Sequence, residues 1–205
     1  MADVVTVGTG EVERTADRAE VTVSFDATGA DRAEAVSSLN QKVAGVEPLL
    51  TRPGVEVRSR RLNVHDNWDG KRRAGSMASQ NYVIRVTDLE QLDLLLGELV
   101  QAEPSWMNGP SWQLIDDAEA SREAQREAVA DASRRAEGYA TALGRRLGPL
   151  HRIVDGENDR HGPLMARSMA YGAAPGAEGM VDQLNLEPQQ ITVRVTCTAT
   201  WTLLD

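Results

Sequence analysis

Residues 4–25 read VVTVGTGEVERTADRAEVTVSF, two alternating, strand-like runs joined by an acidic turn. Gly8 and Gly10 lie in the first run and raise the question of a phosphate-binding loop. A dinucleotide-binding loop needs a third glycine and then a helix, and a P-loop needs Gly-Lys-Ser/Thr. Here Glu11 and Glu13 follow instead, keep the strand alternation and place negative charge where an anion would bind. The stretch therefore argues against a nucleotide site and predicts a bulge or a close backbone approach within a strand.

The closing segment, residues 191–203, is the clearest strand in the chain. Every odd position is apolar and every even position is polar, which predicts one long strand with a single buried face. Residues 21–27 and 82–86 repeat the alternation over shorter lengths. Further strands are predicted at residues 55–64, 112–115 and 150–155.

Apolar residues spaced three and four apart predict three helices. The first covers residues 31–50 with Asp31 as its N-cap, and the second covers residues 89–100 with Asp88 as its cap. The third runs from about 118 to 147 and is capped by Asp116 or Asp117. Its predicted inner stripe is Ala124, Ala128, Ala132, Ala136, Tyr139, Leu143 and Leu147.

The order of these elements predicts an α+β fold. Residues 21–115 follow the order β-α-β-β-α-β of a split β-α-β unit. An N-terminal strand, the long alanine-rich helix and the long C-terminal strand are added to it. We expect an antiparallel or mixed sheet with helices packed on one face, in a single domain over residues 1–205.

Composition narrows the range of partners. The formal net charge is −9 and aromatic residues make up 4% of the chain, which disfavours nucleic acid and anionic membranes as ligands. A single cysteine excludes an internal disulfide. The sequence contains neither a secretory signal at its start nor an apolar run of membrane-spanning length, so we expect a cytoplasmic protein with no membrane span.

Two stretches look like long loops, residues 65–80 and 156–190, and residues 156–187 of the second are interpreted as a flexible insertion. Trp68 and Trp106 fall in predicted loops, whereas Trp112 alternates with Leu114 and is predicted to be core. Exposed aromatic, arginine and methionine side chains favour protein contacts. The candidates for such contacts are Trp68, Arg72, Arg73, Met165, Met169 and Tyr171.

Chemically active groups are sparse. His65, Asp66 and Asp69 are weak metal-ligand candidates, because their spacing matches no helical or knuckle ligand set. The weakest functional hypothesis is a hydrolase that uses Asp116, Asp117 or His151. Helix capping explains the two carboxylates more simply. Cys197 lies on the apolar side of the last strand and is interpreted as a buried hydrophobic residue. We therefore predict no catalytic residues and no cofactor.

Taken in order, these motifs resemble the SIMPL domain family, long catalogued as a domain of unknown function. The resemblance runs through residues 4–25, which look like the family's opening hairpin, and the RSRRLNV strand. It continues through YVIRVTDLEQLDLLLGELV, the helix REAQREAVADASRRAEGYATALGRRLG and the closing strand. It implies an α+β fold without established catalytic residues. Many bacterial relatives are periplasmic or envelope-associated proteins with a signal peptide, which we do not expect in this chain, and an animal branch is a kinase-binding adaptor.

Two functional hypotheses follow. The first is a non-enzymatic, self-associating binding or scaffold protein, a homo-oligomer whose protein partner is unknown. The alternative is a small-ligand or metal-binding stress-response protein that uses the 65–80 stretch. The absence of a convergent catalytic set and the two long predicted loops favour the first.

Overall fold

A computed structural model of the protein describes residues 2–156 and 186–205. These residues form three helices and seven strands. The α+β class is confirmed, and both sheets of the described chain are antiparallel. No helix within the two described ranges is long and apolar enough to cross a lipid bilayer.

The described residues divide into two compact units. Unit 1 contains residues 2–16, 114–156 and 189–205, and unit 2 contains residues 17–113 and 186–188. The single domain expected for residues 1–205 stays a prediction. The insertion predicted at residues 156–187 lies outside the described residues except at its two ends.

Unit 1 is a three-stranded sheet with one long helix on it. Its strands are β1 (Ala2–Thr15), β6 (Arg146–Asp155) and β7 (Gln190–Leu204), in the order β1-β7-β6. Its helix, α3, spans Asp117–Ala142, and the Asp116 side chain accepts a hydrogen bond from the Ala118 N–H at 2.9 Å. The predicted cap is therefore confirmed.

The glycine pair of the opening stretch lies where β1 meets α3. An alanine ladder at every fourth residue of the helix is buried against β1 and β7: Ala120, Ala124, Ala128, Ala132, Ala136 and Ala140. A Cβ on Gly8 would lie 1.9 Å from the Ala128 carbonyl oxygen, and one on Gly10 would lie 2.0 Å from the Ala124 oxygen. The prediction of a close backbone approach is confirmed.

Unit 2 is the split β-α-β unit that the element order predicted. Its strands are β2 (Arg18–Gly29), β3 (Val55–Asp69), β4 (Arg72–Val86) and β5 (Trp106–Gln113), in the order β3-β4-β2-β5. Its helices are α1 (Arg32–Val43) and α2 (Leu92–Gln101). The strand β4 lies between β2 and β3, and α1 packs on β2 and β4 over a core that includes Val23, Phe25 and Tyr82.

Several predictions from the sequence are wrong. The first helix ends at Val43 rather than near residue 50, and Asp88 forms no side-chain capping bond, because a short 3-10 turn over Leu89–Gln91 precedes α2.

Residues 65–80 are not a loop, because β3 and β4 continue through them to a two-residue turn at Gly70-Lys71. Trp68 therefore lies in a strand, and Trp106 begins β5. The opening hairpin does not form, because β1 pairs with β7 while β2 pairs with β4 and β5.

A further error is the C-terminal end of the long helix. The helix stops at Ala142 rather than near 147, and Tyr139 and Leu143 are 59% and 63% exposed instead of lining the core. Gly144 adopts a left-handed backbone (φ 66°), which ends the helix. Leu147 then lies in β6 and packs against the core of unit 1 from there.

Candidate functional site

The outer end of the β3–β4 hairpin holds most of the predicted site residues that the structure describes. We call residues 65–76 the hairpin tip. The pairing sets Trp68 opposite Arg73 and Asp69 opposite Arg72, and Gly70 makes the tight turn with a left-handed backbone (φ 61°). The segment is regular because alternate polar residues suit an antiparallel pair, while the small residues Gly75 and Ser76 fill its buried positions.

Asp66 is the centre of an ion-pair cluster that ties the tip to α1. Its carboxylate accepts two hydrogen bonds from the Arg32 guanidinium at 3.0 and 3.1 Å and one from the Ser76 hydroxyl at 2.8 Å. Arg73 lies 3.1 Å from the same carboxylate and donates to the Ser76 oxygen. Hydrogen bonds from Arg32 and then Ser76 lower the pKa of Asp66 below its usual value. The Arg32–Asp66 pair therefore links the tip to the first residue of α1.

The predicted metal ligands do not form a metal site here. No group of three or more His, Cys, Asp or Glu side chains suited to a metal occurs in the described ranges. His65 and Asp66 are successive strand residues, so their side chains point to opposite faces of β3. The arginines and Ser76 already surround Asp66.

The contact candidates divide into two sets. Trp68 is 63% exposed, and Arg72 is exposed opposite Asp69, whereas Arg73 is engaged in the Asp66 cluster. Met165, Met169 and Tyr171 lie outside the described residues. The structure therefore brings together Trp68, Arg72 and Arg73 at one tip, in a strand context that loop-based reasoning missed.

The three hydrolase candidates have separate structural roles and positions. Asp116 caps α3, Asp117 is the first residue of that helix, and His151 lies in β6 with its Nε2 atom 3.5 Å from the Asp3 carboxylate. Cys197 is buried in β7 opposite Gly8, and burial raises the pKa of its thiol. The burial predicted for Cys197 is confirmed.

Unit 1 also carries a surface that the sequence reasoning missed. A cavity of about 220 Å³ with largely apolar walls lies between α3 and the sheet, lined by Gln125, Val129, Ile153, Asp155, Val195 and Cys197. The available signal was the composition of β6, in which Leu150, Ile153 and Val154 are all large, apolar and exposed. A half-buried strand normally keeps such residues on one face.

Comparison with known proteins adds one assignment. No curated protein sequence matches the chain. A family model described as SIMPL, a protein of unknown function (DUF541), matches residues 4–201, which include most of both units. The resemblance inferred from the order of the motifs is therefore confirmed, and this chain belongs to the SIMPL family.

Proposed function

We propose that this protein is a non-enzymatic, self-associating binding or scaffold module whose hairpin tip contacts an acidic surface of a second copy. The observation that carries the proposal is the uneven distribution of charge. Residues 55–86 contain seven Lys and Arg against three Asp and Glu, a net charge of +4. The rest of the chain contains fifteen Lys and Arg against twenty-eight Asp and Glu, a net charge of −13. A basic hairpin in an acidic chain is electrostatically complementary to other copies of that chain.

The side chains at the tip are of the types that dominate binding energy. Tryptophan and arginine are the residues most enriched at interface hot spots. Trp68 is exposed, and Lys71 and Arg72 form no ion pair in the described part of the chain. A tip that carries an exposed aromatic side chain and two unpaired cations suits an apolar side chain that has carboxylates around it.

The way the tip is held lowers the entropic cost of binding. A partner that captures a flexible loop must order it, and ordering each side chain costs about 0.5–1.5 kcal/mol. Here the Arg32–Asp66 pair already links the hairpin to α1, and the hydrogen bond from Ser76 to Asp66 joins its two strands. The tip is thus preorganised before any partner arrives.

The surface of α2 provides a matching counterpart. Leu94 is 60% exposed, and the exposed carboxylates Glu90 and Asp93 lie within one turn of it. Neither carboxylate takes part in an ion pair among residues 2–156 and 186–205. A tip-to-α2 contact joins two different patches, so repeating it builds a ring or a filament rather than a simple pair.

Support for a non-enzymatic role comes from the structural interactions of the candidate catalytic groups. Asp116 and Asp66 are engaged in capping and in the ion-pair cluster, and the raised thiol pKa disfavours the nucleophilic form of Cys197. Helix capping and ion pairing are structural roles rather than catalytic ones.

Multi-angle light scattering tests the proposal through charge reversal at the tip. We expect the wild-type chain to exceed the monomer mass at low salt and the Lys71→Glu/Arg72→Glu double variant to be smaller. The matched control is Arg122→Glu/Arg126→Glu, which makes the same charge change on exposed positions of α3. Trp68→Ala should weaken association by roughly 30-fold if Trp68 is a hot spot of about 2 kcal/mol.

A complementation experiment identifies the partner surface. The Glu90→Lys/Asp93→Lys variant should fail to associate alone but should associate with the Lys71→Glu/Arg72→Glu variant when the two are mixed. A wild-type chain that stays monomeric at high concentration would refute self-association. Equal loss in the α3 control would show a general effect of charge rather than a contact at the tip.

A further inference from the structure

The sheet of unit 1 is only partly covered by its helix. The helix α3 packs on β1 and β7 and makes few contacts with β6. On the β1 side, α3 also protects the sheet edge, because Asp131 and Glu127 accept hydrogen bonds from the N–H groups of Thr9 (3.2 Å) and Glu11 (3.3 Å). The β6 side has no such cover within the described chain, and β6 is exposed from Leu150 to Asp155.

An apolar groove results between α3 and β6. On the helix side, Val129 of α3 and Leu143, the residue that follows its last turn, are exposed and lie fourteen residues apart, about four turns and about 21 Å along the same face. On the strand, Leu150 and Ile153 pair with the buried Trp201 and Ala199, so they face the same side of the sheet as α3. The 220 Å³ cavity above Cys197 deepens the groove at one end.

The dimensions of the groove match one more helix. Helices packed side by side on a sheet are spaced by about 8–10 Å. Strands are about 4.8 Å apart, so a helix centred over β6 would lie about one and a half to two strand spacings, or about 7–10 Å, from one over β1 and β7. A segment about 21 Å long corresponds to about 14 helical residues.

Charge defines the occupant further. Asp155 lines the deep end of the groove and forms neither an ion pair nor a side-chain hydrogen bond with the residues that the structure describes. The chain as a whole carries a net charge of −9. A cation beside Asp155 would therefore be attracted both locally and by the overall field.

We propose that this groove docks a basic amphipathic helix of a partner protein, with its apolar stripe on Val129, Leu143 and Ile153 and a Lys or Arg beside Asp155. The recognition is of the helix-in-groove type, in which apolar side chains at positions i, i+3 or i+4, and i+7 fill a hydrophobic channel. It involves unit 1 alone and does not depend on the hairpin tip.

Peptide binding tests the proposal on the full-length protein. The probe is a synthetic peptide of about 14 residues with leucine at every third or fourth position and lysine elsewhere. Its matched control replaces each lysine with glutamate. Binding is followed by fluorescence anisotropy, and by the rate at which a maleimide modifies Cys197, the single cysteine in the chain.

Matched variants locate the binding site. Ile153 and Val7 are each 50% exposed on edge strands of the same sheet. We expect Ile153→Ser to weaken binding of the basic peptide about tenfold and Val7→Ser to leave it unchanged. Asp155→Asn should weaken it roughly threefold, as the loss of one exposed ion pair does. Bound peptide should slow modification of Cys197, and circular dichroism checks that each variant is folded.

The contrary outcomes are distinct. Equal effects of Ile153→Ser and Val7→Ser, equal affinity for the acidic peptide, or no protection of Cys197 would each overturn the proposal. If no peptide binds and Ile153→Ser instead reduces the mass of the unliganded protein, the groove is a contact between copies and the proposal is wrong. Because the Lys71→Glu/Arg72→Glu variant leaves the groove intact, binding of the peptide to it separates this inference from self-association through the tip.

Discussion

Replacing Gly8 with alanine should destabilise unit 1 strongly, because it forces a methyl group between β1 and the backbone of α3. The new Cβ would lie 1.9 Å from the Ala128 carbonyl oxygen, 2.6 Å from the Ala132 nitrogen and 2.8 Å from the Ala132 Cβ. Favourable contacts between carbon atoms begin at about 3.5 Å. The helix must therefore move away from β1 by roughly 1.5 Å, because the nearest atom belongs to the backbone and no side-chain rotation can relieve the clash.

The energetic cost follows from the contacts that this movement loses. A gap of about 0.5–1 Å already removes about a quarter to a half of the dispersion energy of the separated atoms. Overpacking of a core costs about 1–3 kcal/mol and occasionally more. We expect Gly8→Ala to lower the free energy of unfolding by about 3 kcal/mol, since the whole alanine ladder is displaced.

Urea denaturation followed by circular dichroism measures this cost. The control is Gly138→Ala, an exposed position in the same helix where a Cβ meets nothing within 4 Å. It should raise stability by up to about 1 kcal/mol, because alanine is the better helix former. Adding Ala132→Gly to Gly8→Ala should not restore stability, since the shortest contact is to the Ala128 oxygen. Wild-type stability of Gly8→Ala would refute the close approach of β1 and α3.

Three other predictions concern titratable groups. Arg32 holds the pKa of Asp66 below its usual value, so the ion pair that anchors the tip is present at neutral pH and is lost as the pH falls through that lowered pKa. Hydrogen exchange of the tip amides should become faster in that pH range. The Asp66→Asn variant should show the fast exchange already at neutral pH. Burial and the hydrogen bond to Glu47 raise the pKa of Tyr82 to about 12. Absorbance titration should find a tyrosine step near that pH, with stability falling between about pH 10 and about pH 12, and Tyr82→Phe should abolish this step. Burial raises the pKa of the Cys197 thiol. In the unliganded protein, Cys197 should therefore react with a maleimide far more slowly than a free thiol does at mildly alkaline pH. Full reactivity in the folded state would contradict its burial.

Local features of the fold were predictable from neighbouring residues. The structure contains the long strand predicted from the alternation in residues 191–203, and Asp31 and Asp116 cap their helices. It also contains the buried alanines that recur at every fourth residue of α3. Each depends on residues within a few positions of one another, where backbone periodicity and capping act directly. The polar hairpin at 65–80 was misread for the same reason, because short-range composition there is typical of a loop while the strand pairing is set across the hairpin.

The site was less predictable than the fold. Residue type alone predicts Trp68 and Arg72 as contact residues, but the link between their hairpin and α1 depends on Arg32, which lies in another element. The groove residues Val129 and Leu143 look like core positions in a helical pattern. They are exposed because the helix lies over β1 and β7, and no local signal states which strands a helix covers.

By itself the sequence determined the types of the elements, their order and the family, since all three depend on patterns along the chain. Only the tertiary structure decided that β1 pairs with β7 rather than with β2, which separates the opening stretch into two sheets. It also decided the structural role of Gly8 and Gly10, whose lack of a Cβ allows the backbone of α3 to pack closely against β1. The physical reason is that pairing and packing are contacts between segments far apart in the chain, and their free energy depends on which surfaces meet rather than on the pattern of either one alone.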